Sequence, residues 1–167
     1  MQNALTELNP HTSKQSNTRG EVASLKIVDF GVGDLILAFP AKNVYRVLKT
    51  PTYGGGSNSV GIAQIGEQRI SILDLHRRLF QSSITSQGEG HYLVVAKNKA
   101  GELYGIPTTA VPALRVIPSA SIQVLPDSYR HINILGMASH YCHISGTGEQ
   151  SITIFLLDID RLLTSDW

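Results

Sequence analysis

The chain has 167 residues, of which 14 are Lys or Arg and 13 are Asp or Glu, giving a formal net charge of +1. So even a balance excludes the broad electrostatic attraction on which nucleic-acid and anionic-membrane binders depend. Charged residues make up only 16% of the chain, against about 25% in ordinary soluble domains, so the protein must bury much of itself or offer uncharged surface to a partner.

Residues 1–20 are polar, with Asn9, Pro10, Ser13, Gln15 and Asn17 among them, and are expected to form a disordered leader. They lack the basic start and apolar run of a secretory signal. From residue 21 onward short apolar runs alternate with turn residues, at the spacing of an all-β barrel or sandwich. Strands are expected over 25–30 and 35–39, joined by a Gly-Val-Gly-Asp hairpin loop at 31–34. Val44, Tyr45, Val47 and Leu48 then form a dense apolar run broken by Arg46 and followed by Lys49. Strand alternation must turn about half of such a run outward, where it can anchor a partner.

Further strands are expected over 60–65 and 70–73. Asp74 stands before Leu75, Leu79 and Phe80, an apolar face at helical spacing behind an acidic cap. Strands follow over 92–96 and 103–106, flanking a turn at 97–102, and then over 114–117, 122–125, 132–138 and 152–157. Asp158 precedes Ile159, Leu162 and Leu163 as a second capped helix. No stretch approaches the ~20 apolar residues that span a bilayer, so no membrane insertion is expected. The single cysteine, Cys142, cannot form an internal disulfide and suits a reducing, cytoplasmic setting.

The two capped helices expose a duplication. Leu73-Asp74-Leu75-His76-Arg77 matches Leu157-Asp158-Ile159-Asp160-Arg161, 84 residues later. Val60-Gly61-Ile62-Ala63 matches Leu135-Gly136-Met137-Ala138 at 75 residues, and Ala38-Phe39-Pro40 with Val44 matches Gly105-Ile106-Pro107 with Val111 at 67. The spacing grows along the chain, as it would if a second copy of one unit had gained loop residues. Each unit is too small to fold comfortably alone, so the halves are expected to share a core, with the switch between them at about 81–90 and one domain over 21–167.

Chemistry-bearing clusters are few. Asp74 and Asp158 sit at the same point of a repeat, which marks them as structural helix caps rather than catalytic acids. His140, Cys142 and His143, with His131 upstream, are the one metal-like cluster, and a metal-binding β-domain is the reading they would support. On a strand, however, His140 and Cys142 share a face that His143 does not, and zinc wants about four converging ligands. Solvated histidines are the expectation, with no metal and no cofactor. The glycine runs at 31–34 and 54–56 neither open a helix nor carry the Lys-Ser/Thr of a phosphate loop. His76-Arg77-Arg78 has no accompanying basic stripe with aromatics, so it reads as a solvated helix end rather than a nucleic-acid contact.

Gly61-Ile62-Ala63-Gln64-Ile65, followed by Ile70-Ser71-Ile72-Leu73-Asp74-Leu75, resembles the central signature of CheW-like domains. Leu103-Tyr104-Gly105-Ile106-Pro107 and the closing Phe155-Leu156-Leu157-Asp158-Ile159 extend the likeness over nearly the whole ordered chain. The resemblance implies two interlocked five-stranded β-barrels of the Src-homology type. It also implies a non-enzymatic adaptor in chemotaxis or type IV pilus motility. Its partners would be the regulatory domain of a CheA-type histidine kinase and the tip of a methyl-accepting chemoreceptor. Transferred onto this chain, the partner-binding residues are Val44, Tyr45, Arg46, Val47, Gln64 and Gly66. Two of them depart from the family pattern: Arg46 stands where an acid is usual, and Gly66 where an arginine is. A stand-alone CheW-like regulator with a different signalling partner is the alternative that those departures raise.

Overall fold

Gly33 adopts a left-handed φ of +58°, a conformation that carries little penalty only in glycine. It therefore lets a two-residue turn set Val32 opposite Leu35, closing the hairpin of β1 (Ser24–Val32) and β2 (Leu35–Pro40). A short 3₁₀ turn leads into β3 (Val44–Lys49), and β4 (Val60–Ile65) pairs with β5 (Gln68–Leu73) before α1 (Leu75–Phe80). The second half runs through β6 (Tyr92–Lys97), β7 (Leu103–Thr108), β8 (Ala113–Pro118), β9 (Ile122–Val124), β10 (Ala138–Ser145), β11 (Ser151–Leu157) and α2 (Ile159–Thr164). This computed structural model describes residues 22–49, 60–81, 92–129, 136–146 and 150–164. The leader at 1–20, most of the 81–90 switch and His131 lie outside the described residues.

The strands form two sheets, one ordered β8-β1-β2-β11-β10-β9 and the other β3-β6-β7-β5-β4. Each sheet takes its central hairpin from one half of the chain and its flanking strands from the other. In the five-stranded sheet, β6 and β7 lie among β3, β4 and β5; in the six-stranded sheet, β1 and β2 lie among β8, β10 and β11. Exchanging the halves converts one strand order into the other, save for the additional β9. That strand makes the sheet built around β1 and β2 six-stranded, where five strands were expected.

The register carries the repeat to single residues. Ile72 lies opposite Gly105 in the parallel pair β5–β7, and Leu156 opposite Ala38 in β11–β2, reproducing the spacings of 84 and 67. The proposed match between 60–63 and 135–138 does not survive. Ala63 pairs with Ile70, and its counterpart is Cys142, paired with Ile154. Gly136 and Met137 instead form the turn before β10. A β-bulge between Ala138 and His140 and the longer approach to β10 shift the second copy, so similarity of small apolar residues misaligned it. Of the strand expected over 132–138, residues 132–135 lie outside the described residues, 136–137 form the turn, and β10 begins at Ala138.

Three clusters fill the interior. Ile27, Ala38, Ile117, Cys142, Ile154 and Leu156, with partly buried neighbours that include Ile122, come from every strand of the six-stranded sheet. A sheet whose strands all meet at one cluster must curl around it. Ala63, Ile70, Ile72, Leu93 and Val95, with Leu48 and Leu103, do the same in the five-stranded sheet. The largest cluster lies between the sheets and joins Phe30, Leu37 and Phe39 to Leu73, Val94, Ile106 and Leu157, with Leu75, Ile159 and Leu162 from the two helices. The helices, at six residues each, are too short to persist unaided, and this shared core is what holds them.

Each hairpin tip also rests on the helix of its own half of the chain, which belongs to the opposite barrel. A Cβ at Gly33 would lie 2.6 Å from the Phe80 ring, so glycine is required there for closeness as well as for φ. On the other side, Lys99 donates its backbone N–H to Asp160, and its Nζ stands 3.8 Å from the same carboxylate. Fully buried Thr108 donates its hydroxyl to the Gly31 carbonyl at 2.7 Å, tying β7 to β1.

Candidate functional site

The acidic residues singled out as caps serve that purpose. Asp74 accepts the Arg77 backbone N–H at 2.9 Å, and Asp158 accepts that of Asp160 at 3.0 Å. Both carboxylates satisfy donors that a helix start leaves orphaned.

The histidine and cysteine cluster is taken apart by strand alternation. Cys142 is fully buried among the aliphatic side chains of the six-stranded sheet, and burial pushes its thiol pKa up, which disfavours the thiolate that binds metals. His140 is half-buried and bonds to Ser139, whereas His143 is exposed on the opposite face and bonds to Thr153 at 3.0 Å. Both histidines belong to β10 rather than to a loop. Among the described residues no three such side chains gather at one point.

β3 divides into two faces. Val44 packs against the shared core, and Val47, opposite core residue Val94, keeps 41% of its surface exposed. These two face the seam between the sheets. A register shift between Val44 and Arg46 makes Tyr45 an extra residue in the ladder. A bulge of this kind turns neighbouring side chains to the same side, so Tyr45 joins Arg46, opposite Val95, on the other face. There the Arg46 guanidinium lies 4.7 Å from the Tyr45 ring centroid, and one of its nitrogens donates to the Tyr45 hydroxyl at 3.2 Å. Both residues line a crevice of about 20 Å³ with Ile65, Gln68, Ile70, Val95 and Leu103. The six expected partner-binding residues are thus not one patch. Val44 and Val47 flank the seam, and Tyr45 and Arg46 cap one end of the five-stranded barrel.

Gln64 and Gly66 lie beside that capped end, in and after β4. Gln64 donates to the Gly66 carbonyl at 2.7 Å. Gly66 has φ +60° in the two-residue turn that sets Ile65 opposite Gln68. A Cβ there would meet nothing within 4 Å. Backbone conformation, not crowding, therefore favours glycine where the family signature has arginine.

A second concavity escaped the sequence reading. Leu125, Pro126, Tyr129, Tyr141, His143, Thr153 and Phe155 line a hollow of about 410 Å³ on the six-stranded sheet. The signal available was the alternation of Tyr141 and His143 about buried Cys142, which sends both aromatic rings outward together. They meet edge to face with centroids 5.3 Å apart, and Tyr141 donates its hydroxyl to Gln123.

Comparison with known proteins agrees with this architecture. The family model of the CheW-like domain matches residues 26–166. Among solved structures, the scaffolding protein TtCheW from Thermoanaerobacter tengcongensis superposes with a TM-score of 0.67 at 16% identity, covering 84% of this chain and 88% of that one. No curated protein matches the chain in sequence. The family match covers well over half of the chain and, among the described residues, takes in both helices and every strand but the first two residues of β1, so the chain belongs to the CheW-like domain family.

Proposed function

We propose that this protein is a non-catalytic scaffold that couples a CheA-type histidine kinase to chemoreceptors in the cytoplasm of a bacterial cell. The observation that supports this most is the distribution of exposed apolar side chains. Val47 on β3 and Leu114 and Val116 on β8 stand on edge strands of the two sheets, while the shared core behind them is closed. Such surfaces suit rigid docking of protein partners. The acids with the clearest catalytic potential are engaged as caps, and the buried thiol is kept protonated. Among the described residues no helix is long and apolar enough to cross a membrane.

The test is reconstitution from purified components. The regulatory domain of a CheA-type kinase and a receptor signalling tip from the same cell should each bind it, and kinase activity should respond to receptor only when the chain is present. Failure of both partners to bind at high micromolar concentration would refute coupling. A stand-alone regulator, favoured by the cation at Arg46, would then be the reading to pursue.

A further inference from the structure

The duplicated halves provide an internal control for what the fold itself requires. The counterpart of Arg46, which pairs with Val95, is Ala113, which pairs with Asp29 at the equivalent point of the other sheet. Pro112 precedes Ala113, and β8 then runs on β1 without a register shift. The same architecture therefore stands without an aromatic, a cation or a bulge at this place. Tyr45, Arg46 and the bulge that aligns them are additions beyond the demands of folding.

What they create is a fixed cation over an apolar floor. Arg46 and Tyr45 are both exposed, and among the described residues the Tyr45 hydroxyl is the hydrogen-bond partner of the guanidinium. Stacking on the ring limits its rotamers, so less entropy is lost when its remaining donors are engaged. The floor of Ile65, Ile70, Val95 and Leu103 is uncharged. A crevice of about 20 Å³ admits a water molecule but no metabolite, and an exposed cation beside an apolar floor suits the surface of another protein. A guanidinium fork matches a carboxylate in charge and in bidentate geometry.

We infer that this end of the five-stranded barrel docks a partner segment that presents an Asp or Glu to Arg46 with an apolar side chain beside it over Tyr45. The inference rests on the scaffold reading and specifies the chemistry of one of its partners.

The test measures affinity of the full chain for the kinase regulatory domain and for the receptor tip, using wild type, Arg46→Glu and Arg46→Lys. Thermal melts and sedimentation would accompany each variant. For one of the two partners, Arg46→Glu should weaken binding at least about tenfold, and Arg46→Lys by less, because the charge survives without the fork. Changing the facing acid of that partner to Arg should restore binding to Arg46→Glu. A folded, monodisperse Arg46→Glu that binds both partners within about twofold of wild type overturns the inference, since the cation would then serve only to guard a sheet edge from aggregation. If wild type binds neither partner, the scaffold reading fails first and this inference with it.

Discussion

Replacing Arg115 with leucine would leave a carboxylate stranded inside a β-barrel, and the cost can be worked from the two ends of the pair. Asp29 retains only 8% exposure of its side chain and accepts Arg115 Nε at 2.9 Å, whereas the Arg115 side chain is 43% exposed. Breaking a buried pair by deleting one partner costs ~3–5 kcal/mol. Solvent already reaches the guanidinium, so about 3 kcal/mol is the expected loss for Arg115→Leu. Asp29→Val is milder, about 1 kcal/mol, because the freed arginine can turn to water. The other sheet holds Val95 and Leu48 at the equivalent positions, so Asp29→Val with Arg115→Leu copies an arrangement this fold already tolerates. That double variant should equal or exceed wild type in stability, as apolar replacements of buried pairs often do. At roughly 2–4 °C per kcal/mol for a chain of this size, calorimetry should show Arg115→Leu melting about 6–12 °C lower and Asp29→Val about 2–4 °C lower. Two results would refute the reasoning: Arg115→Leu no worse than Asp29→Val, or a double variant as unstable as the sum of the singles.

Other perturbations test the remaining parts of the architecture. Asp74→Ala and Asp158→Ala should each lower stability by about 1 kcal/mol in urea titrations, and the Asn variants by less, because asparagine also caps; equal losses for Asn and Ala would assign the effect to charge. At Gly105 a Cβ would lie 2.7 Å from Ile72 Cδ1 and 3.1 Å from both Leu93 methyls. Gly105→Ala should therefore cost about 1–3 kcal/mol, and Ile72→Val should recover part of it; a neutral Gly105→Ala would mean the sheet yields. Burial, and for Tyr104 also the Glu102 carboxylate that accepts its hydroxyl hydrogen bond, raises the pKa values of Cys142 and Tyr104. A raised folded-state value means that the proton is held more tightly folded than unfolded. The resulting stability is complete below the unfolded values of about 8.5 and 10, and is lost as pH rises through the higher folded ones. Denaturation midpoints should accordingly fall above about pH 8.5, and Cys142→Ala should flatten the first part of that decline. An unchanged decline in that variant would exclude the thiol as its source.

Most of the fold was legible because its signals are local. Apolar runs between turn residues located nine of the eleven strands, and the two Asp-led apolar faces located both helices. The spacings of 67 and 84 appear as pairing registers, since residues in the parallel ladders must keep both their size and their side. What was missed depends on backbone detail that residue type does not encode. β3 read as an exposed apolar run and not as a defined strand, because the bulge at Tyr45 breaks its alternation. β10 was displaced because the turn at Gly136 and Met137 precedes it, where small residues mimic those of β4. The residues expected to bind partners divide between two faces for the same reason. Val44 and Val47 keep regular alternation and reach the seam, while Tyr45 and Arg46 are carried by the bulge to the barrel end. The hollow beside Tyr141 was missed because its lining comes from three separated segments, 125–129, 141–143 and 153–155.

Hairpin exchange is what makes a chain of such short elements suitable as a scaffold. If each half had built its own barrel, the two would meet only across a surface, and domains joined in that way move relative to one another by default. Here β1 and β2 are hydrogen-bonded into strands of the second half, and β6 and β7 into strands of the first. Pulling the two halves of the chain apart would therefore break four ladders, and separating the barrels would open the core around Phe30, Phe39, Val94 and Leu157. The relative orientation of the exposed edge strands β3 and β8 is fixed by that shared core, to which both halves contribute. A partner bound at one edge and a partner bound at the other are then held at a set distance and angle without any hinge to order. On the scaffold reading, that rigidity would transmit position from one partner to another. The two edges are free to diverge in chemistry, as the cation at Arg46 and the apolar Leu114 and Val116 show, because neither side chain set is needed to keep the barrels together.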